Sequence, residues 1–286
     1  MCQISIFILS IYNLMYLNIK TPKIEYKKKL VKRGSKMANN NIGVFDSGIG
    51  GVTVLKEIIK LLPNYNYIYY SDSKNNPYGD KSDEEVIRIS DNIIQYLLNR
   101  GCETIVIACN TASAKAADYL RNKYKDVRIV AIEPAYKMVY DYAYDESTLV
   151  MATKGTIESR KFRELFEKYN NKKTILLPCV GLADIIENGN NEEIYKYLKS
   201  NIEQYKGRVK NVVLGCTHYP LIQEQIDEML GGVRFFNGAQ KLAEHLQQIL
   251  DYQKMEINQG SKIEFIDSKK SKIKEERFFR ILQNNN

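Results

Sequence analysis

Two cysteines stand directly after apolar runs of the kind that form buried strands. Residues 105–108 (Ile-Val-Ile-Ala) lead to Cys109, and residues 212–215 (Val-Val-Leu-Gly) lead to Cys216. Because polar residues follow each cysteine, both thiols are predicted at strand ends rather than inside strands. These two cysteines are therefore the first candidates for chemistry.

Two thiols on opposite walls of one cleft suit inversion at a carbon centre, because one removes a proton and the other delivers a proton to the opposite face. A thiol that acts as a base needs a neighbouring charge or hydrogen bond to ionise. His218, two residues after Cys216, can supply that help there. Asp46, at the end of the first apolar run, can play the same part beside Cys109.

The carbanion formed next to a carboxylate needs hydrogen-bond donors that favour its charge. The candidate donors at the strand ends are Ser47, Asn110, Thr111 and Thr217. Alternative interpretations stay open at this stage. Asp46 could cap the helix that starts at Val52, and His218 could be a structural histidine.

The cysteines also allow other interpretations. A redox disulfide between Cys109 and Cys216 is one, whereas Cys102 and Cys179 are interpreted as buried structural residues. A metal site is not predicted, because the sequence has no Cys-x-x-Cys and only two histidines. Five cysteines, an odd number, indicate a reducing compartment rather than a disulfide framework.

The elements that position these residues alternate between short apolar runs and helical patterns. Ile42–Phe45 precedes a glycine-rich turn and a helical pattern to Leu62, and Ser82 opens a capping box for the next helix. Such units predict parallel sheets covered by helices, with ligands beyond the carboxyl ends of the strands. The two similar cysteine runs predict an α/β fold of two similar parallel-sheet domains that face each other across an active-site cleft.

Composition excludes several classes of protein. The net charge is +8, but eight of the 42 basic residues and one of the 34 acidic residues lie in residues 1–36, so the rest of the chain carries only +1. We therefore expect no nucleic-acid partner. No apolar run reaches the roughly 18–20 residues of a membrane span, so no membrane partner is expected either.

The glycine-rich turn and the N-terminal segment give two further expectations. Gly48–Gly51 matches neither the dinucleotide nor the P-loop spacing, and no Schiff-base lysine stands out, so we expect no cofactor. Residues 1–37 form an N-terminal extension unlike the rest. We hypothesise that translation starts at Met37, because a short polar stretch there leads into the first strand.

Five segments together resemble the cofactor-independent aspartate/glutamate racemase family. The matching segments are Ile42–Gly51, Asn76–Gly79, Ile105–Ser113, Ala152–Thr156 and Leu214–Leu221. The resemblance implies interconversion of L- and D-glutamate by two cysteine bases. Cys109 would act on D-glutamate with the help of Asp46, and Cys216 would act on L-glutamate with the help of His218.

The resemblance also implies the rest of the site. The residues that would line it are Asp46, Ser47, Pro77, Tyr78, Gly79, Asn110, Thr111, Thr153, Thr156, Thr217 and His218. The family usually has a proline-rich stretch leading to a functional glutamate, which here aligns with Glu187. Asp184 stands where a proline is expected, and the alternative for Glu187 is an exposed helix acid.

The family's organisation implies two domains, of which the first is discontinuous. Residues 38–132 plus 238–286 would form the first and residues 133–237 the second, with a hinge that admits substrate and then excludes water. The resemblance further implies a homodimer in the bacterial cytoplasm that supplies D-glutamate for peptidoglycan. Three rival interpretations remain: racemisation of aspartate, a binding protein without turnover, and a redox role for the thiols.

Overall fold

The computed structural model describes residues 41–169, 171–250 and 260–284 of the chain. The predicted extension, residues 1–37, and the proposed start at Met37 lie outside the described residues. Within them, the strands form two sheets in which all paired strands are parallel. The predicted α/β fold with two parallel sheets is confirmed.

The first sheet has the strand order β4-β3-β1-β2-β9. Its strands are β1 (Asn41–Asp46), β2 (Asn66–Ser71), β3 (Cys102–Ile107), β4 (Arg128–Ala131) and β9 (Ile263–Asp267). The late strand β9 pairs with β2, so the end of the described chain returns to the first sheet. This pairing agrees with a discontinuous organisation, whose boundaries at 132, 133, 237 and 238 stay a prediction.

The second sheet has the strand order β6-β5-β7-β8. Its strands are β5 (Thr148–Ala152), β6 (Thr174–Pro178), β7 (Asn211–Gly215) and β8 (Arg234–Phe236). In both sheets the strand that carries a cysteine loop has a neighbour on either side, since β3 and β7 are interior strands. The loop after each of these strands therefore has the loop of a neighbouring strand on either side, at the carboxyl end of its sheet.

Helices cover both sheets. They are α1 (Val52–Leu61), α2 (Asp83–Asn99), α3 (Asn110–Lys123), α4 (Tyr136–Ala143), α5 (Lys154–Ile157), α6 (Arg160–Tyr169), α7 (Leu182–Asn188), α8 (Asn191–Asn201), α9 (Gln223–Leu230), α10 (Ala239–Ile249) and α11 (Lys272–Gln283). Short 3-10 turns occupy Glu203–Tyr205 and Tyr219–Ile222. None of the helices in the described parts of the chain is long and apolar enough to cross a membrane.

The apolar side chains form layers on both faces of each sheet. On the first sheet, α1, α10 and α11 pack on one face, and α2 and α3 pack on the other. On the second sheet, α7, α8 and α9 cover one face, and α4 and α6 cover the other. Burial on both faces explains why the strands read as continuous apolar runs.

Several helix bounds differ from the sequence prediction for local reasons. The sequence predicts one helix that follows Thr153–Thr156 and runs to about Tyr169. The structure has two, α5 and α6, because Ser159 ends the first and its side chain accepts the amide of Phe162 at the start of the second. Pro220 opens a 3-10 turn before α9 rather than an α-helix. The sequence interpretation contained neither α7 nor α11, and both carry residues of the site.

Candidate active site

The loops at the carboxyl ends of the strands meet around one cavity that both sheets border. Of the residues expected at the site, Ser47, Pro77, Tyr78, Gly79, Cys109, Asn110, Thr111, Thr153, Cys216, Thr217 and His218 line this cavity. Asp46, Thr156 and Glu187 do not line it but bond to residues that do. The structure therefore brings all the expected site residues together.

Cys109 belongs to the turn between β3 and α3. It is the N-cap residue of α3, and its sulfur accepts the backbone N–H of Ala112 at 3.5 Å. The thiol also faces the hydroxyl of Ser47 at 3.8 Å. Burial and the negative charge of Asp46 raise the pKa of Cys109, although the Ala112 N–H opposes that rise. The raised pKa favours the thiol form of Cys109, which can donate a proton.

Cys216 follows β7 and lies at the start of a chain of hydrogen-bonding groups. Its sulfur is 3.7 Å from Nδ1 of His218, and Nε2 of His218 is 2.6 Å from Oε2 of Glu187. A carboxylate only accepts, so Nε2 must carry the proton. Nδ1 is then left to exchange a proton with the sulfur of Cys216.

Burial alone would lower the pKa of His218. The hydrogen bonds and charges of Cys216 and Glu187 outweigh burial and raise this pKa well above its usual range. Residue His218 is 1% exposed, so these interactions act in an environment that excludes most water. His218 is thus prepared to hold a proton beside Cys216 and to stabilise a thiolate there.

Glu187 lies on α7 and is buried, which excludes the alternative of an exposed helix acid. Its side chain is only 3% exposed and accepts from His218, from the backbone N–H of Ile49 and from Nζ of Lys274. Burial alone would raise the pKa of Glu187, but the hydrogen bonds and charges of His218 and Lys274 lower it to about 2. The carboxylate therefore stays ionised at every pH of interest.

Asp46, at the end of β1, bonds to the loop that carries Cys216. Its Oδ2 accepts the N–H of Gly51 at 2.8 Å and the hydroxyl of Thr217, next to Cys216, at 3.2 Å. Its Oδ1 is buried and has no hydrogen-bond partner among the described residues. Burial raises the pKa of Asp46, and the charge of His218 opposes that rise.

The bond to Gly51 bears on the alternative that Asp46 caps the first helix. Gly51 is the residue before α1, and no side chain caps that helix start. Asp46 therefore holds the turn that leads into α1 without capping the helix. The alternative that Asp46 is a helix cap is wrong.

Three threonine hydroxyls join the two halves of the cavity. Oγ1 of Thr111, on α3, is 2.9 Å from Oγ1 of Thr153 and 3.3 Å from Oγ1 of Thr156. Thr153 caps α5 by accepting the N–H of Thr156 at 3.1 Å. The Tyr78 hydroxyl donates to the Asp72 carboxylate at 2.6 Å, so Tyr78 contributes mainly its ring to the cavity wall.

The glycines before α1 allow this loop to approach the Cys216 side closely. A Cβ at Gly50 would lie 2.5 Å from Nδ1 of His218, and a Cβ at Gly48 would lie 2.5 Å from Oε2 of Glu187. Real Cβ atoms do not make such contacts. The turn is thus glycine-rich because its backbone packs directly against the His218–Glu187 pair.

A family model for Asp/Glu/Hydantoin racemase matches residues 42–246. The chain belongs to this racemase family. It is therefore an isomerase, and the resemblance found in the sequence is confirmed at the level of the family. The matched range contains Cys109, Cys216 and every other residue expected at the site.

Curated relatives and solved structures agree with the family. The chain is 41% identical to the glutamate racemase of Clostridium perfringens strain SM101 over 225 residues, which cover 77% of this chain and 86% of the relative. The Francisella tularensis glutamate racemase in complex with D-glutamate superposes with a TM-score of 0.72, at 27% identity, over 87% of this chain and 96% of that chain.

A second solved structure holds the other enantiomer. The Escherichia coli glutamate racemase in complex with L-glutamate and the activator UDP-MurNAc-Ala superposes with a TM-score of 0.72 at 28% identity. The match covers 85% of this chain and 94% of that chain. The two-domain α/β fold of this racemase family therefore extends to the present chain.

Sequence reasoning missed some residues of the site. Asn76 and Asp184 both line the cavity and bond to each other at 2.6 Å, although the sequence predicts neither as a site residue. Cys179, expected as a structural cysteine, is buried in the core but also borders the cavity. Lys274, on α11, belongs to no sequence motif that would indicate a site residue. In the described ranges, no cluster of three or more metal-ligating side chains is found.

Proposed function

We propose that this racemase interconverts L- and D-glutamate by proton transfer between two cysteines, without a cofactor. The observation that carries the proposal is the convergence of Cys109 and Cys216 on one cavity from two different sheets. Among the described residues, Cys216 has the His218–Glu187 pair behind it, whereas the Cys109 sulfur contacts the Ser47 hydroxyl and the Ala112 N–H. The curated relatives named above support glutamate as the substrate.

The site supports the following steps from L-glutamate. The Cys216 thiolate, paired with protonated His218, removes the α-proton, and the electron pair moves into the α-carboxylate. The Cys109 thiol then gives its proton to the opposite face, so D-glutamate forms. Cys216 ends as a thiol and Cys109 as a thiolate, and proton exchange with solvent restores the first state.

Hydrogen-bond donors at the strand ends would stabilise the intermediate. Ser47, Asn110 and Thr111 border the cavity and can donate to substrate carboxylates, whereas the Thr217 hydroxyl at the same cavity already donates to Asp46. Thr153 and Thr156 hold Thr111 in place. Oδ1 of Asp46 has no hydrogen-bond partner in the described part of the chain, and we propose that this carboxylate assists the Cys109 thiol.

The test uses purified protein with L-glutamate or L-aspartate and follows optical rotation and chiral product analysis. We expect loss of rotation with L-glutamate and formation of D-glutamate. Loss of optical rotation with L-aspartate alone would show that the chain racemises aspartate instead of glutamate. No change with either substrate would overturn the proposal and favour a binding protein.

We also propose that the D-glutamate serves peptidoglycan synthesis, in the cytoplasm, and that the protein acts as a homodimer. The support is the resemblance to the family and the glutamate racemase relatives. Depletion of the protein in its bacterium should produce cell-shape defects that D-glutamate in the medium relieves. Sedimentation analysis should give about twice the chain mass, and a monomer would contradict the homodimer.

A further inference from the structure

The C-terminal helix α11 packs on the first sheet but reaches residues of the Cys216 side. Nζ of Lys274 donates to Oε1 of Glu187 at 2.6 Å. One turn further on, the guanidinium of Arg277 donates to the backbone carbonyls of Glu187 and of Ile186, the latter at 2.7 Å. One helix thus holds both the side chain and the backbone of the acid that bonds to His218.

We propose that Lys274 is a positioning residue for the reaction, acting through Glu187 and His218 on Cys216 and not on Cys109. The inference rests on the proposed function. It assigns to a helix far along the sequence the control of one of the two proton transfers. Lys274 does not line the cavity and is not expected to touch substrate.

The two carboxylate oxygens of Glu187 have different side-chain partners, so Lys274 can fix the orientation of the carboxylate toward His218. Oε2 lies 2.6 Å from His218 Nε2, and Oε1 lies 2.6 Å from Lys274 Nζ. The Ile49 N–H bonds both oxygens, at 3.1 and 3.3 Å. Without the ammonium, Oε1 would keep only the longer of the two amide contacts, so the carboxylate could rotate away from its line with His218.

Lys274 also balances charge at the buried acid. The Glu187 side chain is 3% exposed and that of Lys274 is 21% exposed, so solvent can replace the ammonium only in part. Loss of one partner of a buried pair leaves an uncompensated charge. With Lys274 gone, Glu187 would hold the Nε2 proton of His218 more strongly, and the imidazolium would release its Nδ1 proton to Cys216 less readily.

Lys274 is itself fixed by other contacts. Its Nζ also donates to the hydroxyl of Ser73 at 2.9 Å, and its backbone N–H donates to Ser271, the N-cap residue of α11. Phe278 anchors the helix, with its ring 4.6 Å from that of Tyr69 and 4.5 Å from that of Phe265. The ammonium therefore meets Glu187 in a defined position, as a positioning residue requires.

The test needs a readout that assigns the effect to one base. L- and D-glutamate have equal free energy, so kcat/KM must be the same in both directions for every variant. A lower kcat/KM therefore cannot show which cysteine is affected. The primary isotope effect on kcat/KM, measured with α-deuterated L-glutamate and with α-deuterated D-glutamate, can show it.

The variants are Lys274→Met, which keeps the length but not the charge, Lys274→Arg, and the control Lys272→Met at an exposed position of the same helix. We expect Lys274→Met to lower kcat/KM by about 10- to 100-fold, as for one charge-assisted hydrogen bond. The isotope effect should rise with the L-substrate and fall with the D-substrate. Lys274→Arg should recover part of the rate, and the control should match the wild type.

A purely structural role would lower the activity without changing the two isotope effects in opposite directions. That result, or an unchanged rate in Lys274→Met, would overturn the inference while the proposed function stood. If Lys274→Met does not fold, as judged by circular dichroism, Lys274→Gln is measured in its place under the same criterion. Inactive wild-type protein would instead contradict the proposed function itself.

Discussion

The two cysteines of the site have different surroundings, and this difference is set residue by residue. Cys109 is a helix N-cap with a hydroxyl and a backbone N–H near its sulfur. Cys216 has the imidazole of His218 next to it and Glu187 behind that imidazole. The Cys109 pKa is raised by burial and by Asp46, whereas His218 offers Cys216 a charge partner.

Glu187→Gln tests the charge at the end of the Cys216 chain. The hydrogen bonds and charges of Cys216 and Glu187 raise the His218 pKa against burial, so removal of the Glu187 charge should lower that pKa. Activity is lost when pH rises through the His218 pKa. The alkaline limb of kcat/KM against pH should therefore move to lower pH, by about 1–3 units.

The same pH profile is measured for Glu193→Gln, an exposed acid on the neighbouring helix α8, as the control. That variant should retain the wild-type limb. An alkaline limb that stays in place in Glu187→Gln would show that this carboxylate does not set the protonation of His218.

Sequence reasoning found the residues at strand ends because their signal is local. An apolar run followed by a cysteine and polar residues predicted Cys109 and Cys216 at loop positions, and the structure places both there. Glu187 was reached only through the resemblance. Its burial depends on Ile49 and Lys274, which lie 138 and 87 positions away in the sequence, and no local pattern reports such contacts.

At the scale of elements, two helices absent from the sequence interpretation complete the site. Helix α7 has seven residues between Gly181 and Gly189, which both adopt positive φ angles, so it is too short for a periodic pattern. Helix α11 begins at a clear cap, Ser271, but its many charged residues obscure the apolar positions. The interior strands β5 and β7 were predictable because burial on both faces makes them mostly apolar.

Ser271→Ala tests whether the first turn of α11 matters to the reaction. The Ser271 hydroxyl accepts the N–H of Lys274 at 3.3 Å, so its loss should cost about 1 kcal/mol in the free energy of unfolding. The first turn would fray and Lys274 would meet Glu187 less often. We therefore expect lower kcat as well, measured beside urea unfolding.

Ser271→Thr keeps a capping hydroxyl and should retain most of both the stability and the rate. A loss of stability in Ser271→Ala with the wild-type kcat would show that the order of this turn does not control the reaction.

At the scale of the whole molecule, hydrogen bonds join the two sheets around the cavity. Thr217 bonds Asp46, Ile49 bonds Glu187, and Asn76 bonds Asp184. We predict that these contacts close the cavity over substrate, which would favour dry electrostatics inside it. Substrate entry would then require some of them to open.

Asn76→Ala tests the contact at the rim of the cavity. The Asn76 amide donates to the Asp184 carboxylate at 2.6 Å, and both residues border the site. Loss of about 1 kcal/mol of closing free energy should raise KM about fivefold for both enantiomers, with little change in kcat.

Asp184→Ala removes the same bond from the other side and should give the same change in KM. A large effect of Asn76→Ala without a matching effect of Asp184→Ala would indicate that Asn76 binds the substrate instead of closing the cavity.

Replacement of Cys109 or Cys216 tests whether racemisation needs both thiols. Cys109→Ala and Cys216→Ala should each lower racemisation by more than about 1000-fold, because each removes the base of one direction and the acid of the other. Cys102→Ala, in β3 and away from the cavity, is the matched control, and Cys179→Ala should also remain active. Chiral chromatography of the product measures all four variants, and an active Cys109→Ala would refute the two-base scheme.

The isotopic content of both enantiomers during the first turnovers of L-glutamate in deuterated water shows whether two bases or one transfer the α-proton. Two separate bases predict deuterium at the α-carbon of the D-glutamate formed and protium in the L-glutamate that remains, because different thiols take and give the proton. Protium carried into the product, or equal deuterium in both enantiomers from the start, would mean that one group moves the proton on both faces and would contradict the account.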